Sequence, residues 1–102
     1  MNDSARQLSP DETPDIETLA SLSKALGHPA RIRIVQELLE KQHCVGCDLV
    51  EAIGLAQSTT SEHLRILKAA GVIHGEIEHP RICYRLNREA LQPLQQWLAA
   101  MT

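Results

Sequence analysis

Two sets of side chains in this sequence have the types and spacing to do chemistry. The first is Gln57-Ser58-Thr59-Thr60-Ser61-Glu62-His63-Leu64-Arg65-Ile66-Leu67-Lys68-Ala69-Ala70-Gly71. Leu64, Leu67 and Ala70 recur at three-residue steps and predict an inward stripe of one helix, with Gly71 free to end it at positive φ. That arrangement puts Ser58, Thr59, Ser61, Glu62, His63, Arg65 and Lys68 outside. Thr59 with Glu62 has capping-box spacing, and Ser58 is an equally good cap. Short hydroxyls, an imidazole and two cations on one helix face are what a DNA major groove requires, to meet base edges and phosphates. On this stretch alone, an ordinary solvated helix accounts for the same residues. The second set is Cys44, Cys47 and Cys83. Thiolates select soft ions, and two of these three flank a helix start, where thiolates are stabilised.

Bulk properties narrow the choice. The chain has 102 residues, enough for one domain with a small core. It holds no Phe, one Tyr and one Trp, which excludes an aromatic base-stacking surface of the single-strand or RNA-binding kind. A net charge of −3 excludes a general polyanion coat. Residues 1–17 carry five acids against Arg6 alone, whereas residues 56–88 carry Arg65, Lys68, Arg81, Arg85 and Arg88 against three glutamates. A modest basic side opposite an acidic tail suits sequence-selective binding. No apolar run reaches membrane-spanning length, and Met1-Asn2-Asp3-Ser4 is unlike a signal peptide. Three cysteines without an export signal predict reduced thiols in the cytoplasm.

The elements that must position these groups follow in chain order. Residues 1–13 are aperiodic and polar and are expected to be a flexible acidic tail, with one folded unit over 14–102. Thr13-Pro14-Asp15 starts a helix with Pro at its first position, and Ile16, Leu19, Leu22 and Leu26 give its apolar stripe. Pro29 begins a second helix running to about Lys41, with Ile32, Val35, Leu38 and Leu39 buried and Ile34 partly covered. Arg31 and Arg33 fall on its solvent side. Gln42–Gly46 reads as a brief strand or turn. Asp48–Ile53 makes a third, short helix burying Leu49, Val50 and Ile53 and closed by Gly54, and Leu55-Ala56 turns into the helix of residues 57–70. Val72–Glu78, a turn at His79-Pro80-Arg81, and Ile82–Leu86 form a β-hairpin. The expected fold is mainly α with a small β-hairpin, a winged helix-turn-helix. Arg81 at the hairpin tip would reach a phosphate or the minor groove; as a solvated loop cation it needs no partner. Asn87 caps a turn, and Pro93 is expected to open the last helix after a break near Gln92. Leu94, Trp97, Leu98 and Met101 line that helix. So small a domain cannot cover this stripe and that of residues 16–26, and pairing of terminal helices between two chains would bury both.

The residues now carry a resemblance. From about Leu19 to Leu98 the chain resembles the ArsR/SmtB family of bacterial winged-helix repressors. The matching pieces are Leu22-Ser23-Lys24-Ala25-Leu26-Gly27-His28-Pro29-Ala30-Arg31-Ile32-Arg33-Ile34, Cys47-Asp48-Leu49, and Gln57 to Gly71. The resemblance implies a homodimer held by first and last helices, one recognition helix per half of a two-fold operator, and release of the DNA on ligand binding. It also implies Gln57, Ser58, Thr60, Ser61 and His63 as base or phosphate contacts.

The ligand is the open question. The family's zinc-type site on the last helix needs Asp/His pairs, and residues 88–102 contain no His, Cys or Asp. Its arsenic-type site resembles Cys-Val-Cys-Asp-Leu; here the text is Cys44-Val45-Gly46-Cys47-Asp48-Leu49, with Cys44 one residue early. In a winged helix the strand before the third helix pairs with the returning wing strand. Cys44 would then lie beside Cys83, with Cys47 one turn away, and three thiolates suit trivalent arsenic or antimony. His43 or a water would instead complete a tetrahedron for zinc, cadmium or lead. A Cys44–Cys47 disulfide would make a redox switch, and simple burial explains Cys83 as a core strand position. No cofactor is expected to be needed for folding. Enzyme chemistry has little to stand on: Ser61 and His63 are two residues apart on one helix, without an acid to orient the His. No phosphate loop or zinc-protease motif is present.

Overall fold

The computed structural model describes residues 15–40, 47–78 and 81–101. The expected tail, the strand expected over 42–46 and the turn at His79-Pro80 lie outside them. So does Cys44. The elements run α1 (Ile16–Ala25), α2 (Pro29–Glu40), α3 (Cys47–Ile53), α4 (Gln57–Ala69), β1 (Ile73–Glu78), β2 (Arg81–Leu86) and α5 (Arg88–Ala99). This is the winged helix-turn-helix order, mostly helical with one antiparallel hairpin. Among the described residues, no helix is long and apolar enough to cross a membrane.

The helix boundaries follow from what satisfies the free N–H groups at each start. Asp15, not Pro14, sets the start of α1: its carboxylate accepts from Thr18 N and Thr18 Oγ1, both at 3.3 Å. A carboxylate facing the third N–H of a helix is a stronger start signal than a preceding proline. α2 begins at Pro29, and His28 just before it satisfies the helix start, its carbonyl accepting from Arg31 and Ile32 and its ring Nδ1 accepting from Ala30 N at 3.0 Å. At the other end of the helix-turn-helix, Arg33 lies on the solvent side as expected. It has an occupation there, donating from Nη2 to Ala52 O at 2.9 Å and from Nη1 to Ile53 O at 3.4 Å. It thereby satisfies the last carbonyls of α3.

The core gathers Leu22, Ala25, Ala30, Ile34, Leu38, Leu49, Ile53, Leu64, Leu67, Val72 and Ile73. α2 is the central post, packing on α3, α4 and β2. Its buried stripe is Ala30, Ile34 and Leu38, while Ile32 and Leu39 are 41% and 42% exposed. Ile32, Val35 and Leu39 also recur at helical spacing in the sequence, and the neighbours of α2 bury the stripe containing Ile34.

The hairpin pairs Ile73 with Leu86, Gly75 with Tyr84, Glu76 with Cys83 and Glu78 with Arg81. Asn87 ties its base together: Nδ2 donates to Gly71 O at 3.0 Å, the backbone N donates to Val72 O at 2.8 Å, and Oδ1 accepts from Ala90 N. That last bond makes Asn87 the cap of α5 and moves the start of the helix ahead of expectation. Pro93 therefore sits inside α5 rather than opening it, and the helix is continuous past Gln92. A cap six residues upstream has already committed the chain to helix when the proline arrives. The missing N–H forfeits one bond, to the carbonyl four residues back.

Candidate nucleic-acid interface

Ala56 is the N-cap of α4, and no side chain caps it, neither Ser58 nor the Thr59–Glu62 pair. The turn before it is made possible by Gly54 at φ 79° and the end of the helix by Gly71 at φ 82°. The first turn of α4 holds no acid. Its open N–H groups and the positive end of its dipole therefore face outward together, as an anion-facing start requires. Gln57, Ser58, Thr59, Ser61, Glu62, Arg65 and Lys68 are exposed along the helix. Arg65 and Glu62 are bound to one another, Nη2 to Oε2 at 2.6 Å and Nε to Oε1 at 3.0 Å. That hydrogen bond holds the Glu62 carboxyl below its ordinary range and raises Arg65.

Two candidate contacts belong to the other side of α4. Thr60 is fully buried and His63 nearly so. The expectation that His63 lies outside is corrected: residues 60, 63, 64 and 67 form the inner stripe, one position wider than the leucines alone define. The ring of His63 packs on that of His28, centroids 4.4 Å apart and tilted by 49°. Burial, then the His28 and Arg31 charges, push the His63 pKa down, with Glu62 opposing. Thr60 Oγ1, His63 Nδ1 and Arg31 Nε are buried without a hydrogen-bond partner among the described residues. Ser61 is exposed while His63 faces inward, so the pair weighed as nucleophile and base is not one. Arg81 opens β2 at the far end of the hairpin, opposite Glu78.

Of the thiols, Cys83 is 4% exposed on β2 and Cys47 is the first residue of α3. Among the described residues, no group of three or more His, Cys, Asp or Glu side chains could hold a metal ion.

Sequence reasoning missed His28 and Arg31 as neighbours of α4. His28 stood in view beside Pro29, but its pairing with a residue 35 positions later is a tertiary event.

Comparison with known proteins sharpens the picture. Residues 28–74, from the His28 cap through α4 to the start of the hairpin, match the model of the bacterial regulatory protein, arsR family. The chain is also 32% identical over 78 residues to the HTH-type transcriptional regulator YgaV of Escherichia coli, covering 76% of this chain and 79% of that protein. The chain belongs to the ArsR family. Another ArsR-type relative is the HTH-type transcriptional repressor SmtB of Mycobacterium tuberculosis, 45% identical over 71 residues. That match takes in 70% of this chain but only 52% of the repressor, so the chain spans about half the length of that relative. In fold it resembles the solution structure of the homodimeric winged helix-turn-helix domain of Mb0332 from Mycobacterium bovis. There the TM-score is 0.69 at 22% identity, over 94% of this chain and 90% of that one.

Proposed function

We propose that this chain is a transcriptional repressor that grips a two-fold DNA site as a homodimer and lets go when a thiophilic effector binds. The observation that carries the DNA reading is the uncovered, hydroxyl-rich and cationic outer face of α4 behind an uncapped helix start. In this reading Ser58, Ser61 and Arg65 would meet base edges, Gln57 and Thr59 would flank the helix entrance, and Lys68 with Arg81 of the hairpin would meet phosphates. Thr60 and His63 are buried on the inner side of α4, His63 against the ring of His28, and are not part of that outer face. Dimerisation is supported by the apolar groups left on the terminal helices: Ile16 is 80% exposed, Leu98 51% and Met101, just after α5, 61%. The named activity of SmtB and the named homodimer of Mb0332 agree with this reading. Gel shift on the DNA upstream of its own coding region, with sedimentation to count protomers, tests it. The expected result is a discrete complex of two chains on one duplex; a monomer that retards no duplex would refute it.

The effector reading rests on Cys44, Cys47 and Cys83, for trivalent arsenic or antimony. The supporting observation is that α3, opened by Cys47, and β2, carrying Cys83, both pack on α2. A ligand joining the two would strain the post on which α4 is set, and a ligand that prefers the DNA-incompetent state weakens DNA binding by the same coupling. Cys→Ser variants of all three positions that respond to arsenite like wild type would end the thiol reading and leave the DNA reading untouched.

A further inference from the structure

α4 is flanked by two open cationic grooves, one on each side of its outward face. The first lies between α1, α2 and α4, a cavity of about 410 Å³ whose lining includes Lys24, Arg31 and Arg65 with Ser21. The second lies between the end of α4 and the hairpin, about 470 Å³, and brings together Lys68, His74 and Arg85. No acid is among the described residues lining either groove. The sides are set by the helix itself. At about 100° per residue, Ile66, Ala69 and Ala70, which line the first groove, fall to one side of the line through Ser58 and Arg65. Lys68 and Gly71, which line the second, fall to the other.

We infer that these grooves seat the two sugar-phosphate strands that border a major groove, with Lys24 and Arg31 against one strand and Lys68, His74 and Arg85 against the other. An α-helix with its side chains is about 10–12 Å across and the groove about 12 Å wide, so an inserted helix has phosphates along both flanks. Cations on a single flank would be ordinary surface charge; cations recruited from α1, α2 and the hairpin to both flanks match the two-sided backbone. One detail supports the fit. Gly75 has no side chain where a Cβ would come within 3.4 Å of Lys68 Nζ and 3.2 Å of Tyr84, so the ammonium is free to lie over the strand. This inference rests on the DNA-binding reading and adds residues that the recognition helix alone does not supply.

The test is the salt dependence of affinity for a duplex selected by the wild-type chain from a random-sequence pool. Each phosphate contact adds about 0.9 to the slope of log K against log salt. Lys24→Gln and Arg85→Gln, both at exposed positions, are each expected to lower the slope by about 1.8 in a homodimer, and additively together. Lys24→Arg keeps the slope. The loss should be the same factor on the selected duplex and on a scrambled one, because phosphates carry no sequence. Thermal midpoints matching wild type confirm that the variants fold. A wild type that selects a duplex while both Gln variants keep its slope overturns the flank assignment alone. A wild type that selects none removes the DNA reading, and this inference with it.

Discussion

α4 and α5 are amphipathic helices of nearly equal length, and they end up in opposite conditions. α4 buries Thr60, His63, Leu64 and Leu67 within its own chain and leaves a polar face uncovered. α5 buries no residue at all, packs only one side on α1, and leaves Trp97 and Leu98 41% and 51% exposed. A helix whose apolar side is finished by its own domain has its polar side free for a partner of charge. A helix whose apolar side is unfinished needs a partner of grease.

Substitutions can break that contrast. The largest effect is expected for Leu67→Ala, at a fully buried position on the inner side of α4. It should cost about 2–5 kcal/mol in chemical denaturation, whether the protein is dilute or concentrated. Leu98→Glu should act only through association: sedimentation is expected to show single chains and operator affinity to collapse, with the fold by circular dichroism intact. A Leu98→Glu protein that still pairs would mean that α5 is not the joining surface. Asn87→Ala removes the cap of α5 and the tie to Gly71 together, and should lower stability by about 1 kcal/mol, read as a shifted denaturation midpoint.

The smallest effect concerns the imidazole pair beneath α4. The His63 pKa is held below its ordinary 6.5 by burial and by the neighbouring His28 and Arg31, against the pull of Glu62. The unfolded chain therefore takes up a proton first as pH falls. The contribution is complete above about pH 6.5 and is lost progressively as acid carries the solution down toward the depressed folded value. Denaturation midpoints between pH 7.5 and 5.5 should fall for wild type and fall less for His63→Leu.

Much of this was legible in the sequence where local rules were strong. Gly54 and Gly71 marked helix ends because only glycine takes their φ cheaply, and Leu64 and Leu67 marked the inner side of α4 by spacing. Ile73 to Leu86 read as a hairpin from partial alternation. Three features did not read correctly, each for its own reason. α2 carries two apolar stripes, and nothing local ranks Ile34 above Ile32. His63 is polar and yet inside, since its partner His28 is distant in sequence. Pro93 argued for a break that the Asn87 cap had already pre-empted.

What the residues settled unaided was the order of elements and their ends, because turns, caps and periodicity act over a few neighbours. Which faces meet was settled only by assembly. Burial depends on neighbours that the chain brings together from far apart, and so it took the packed molecule to turn His63 inward and to leave α5 open.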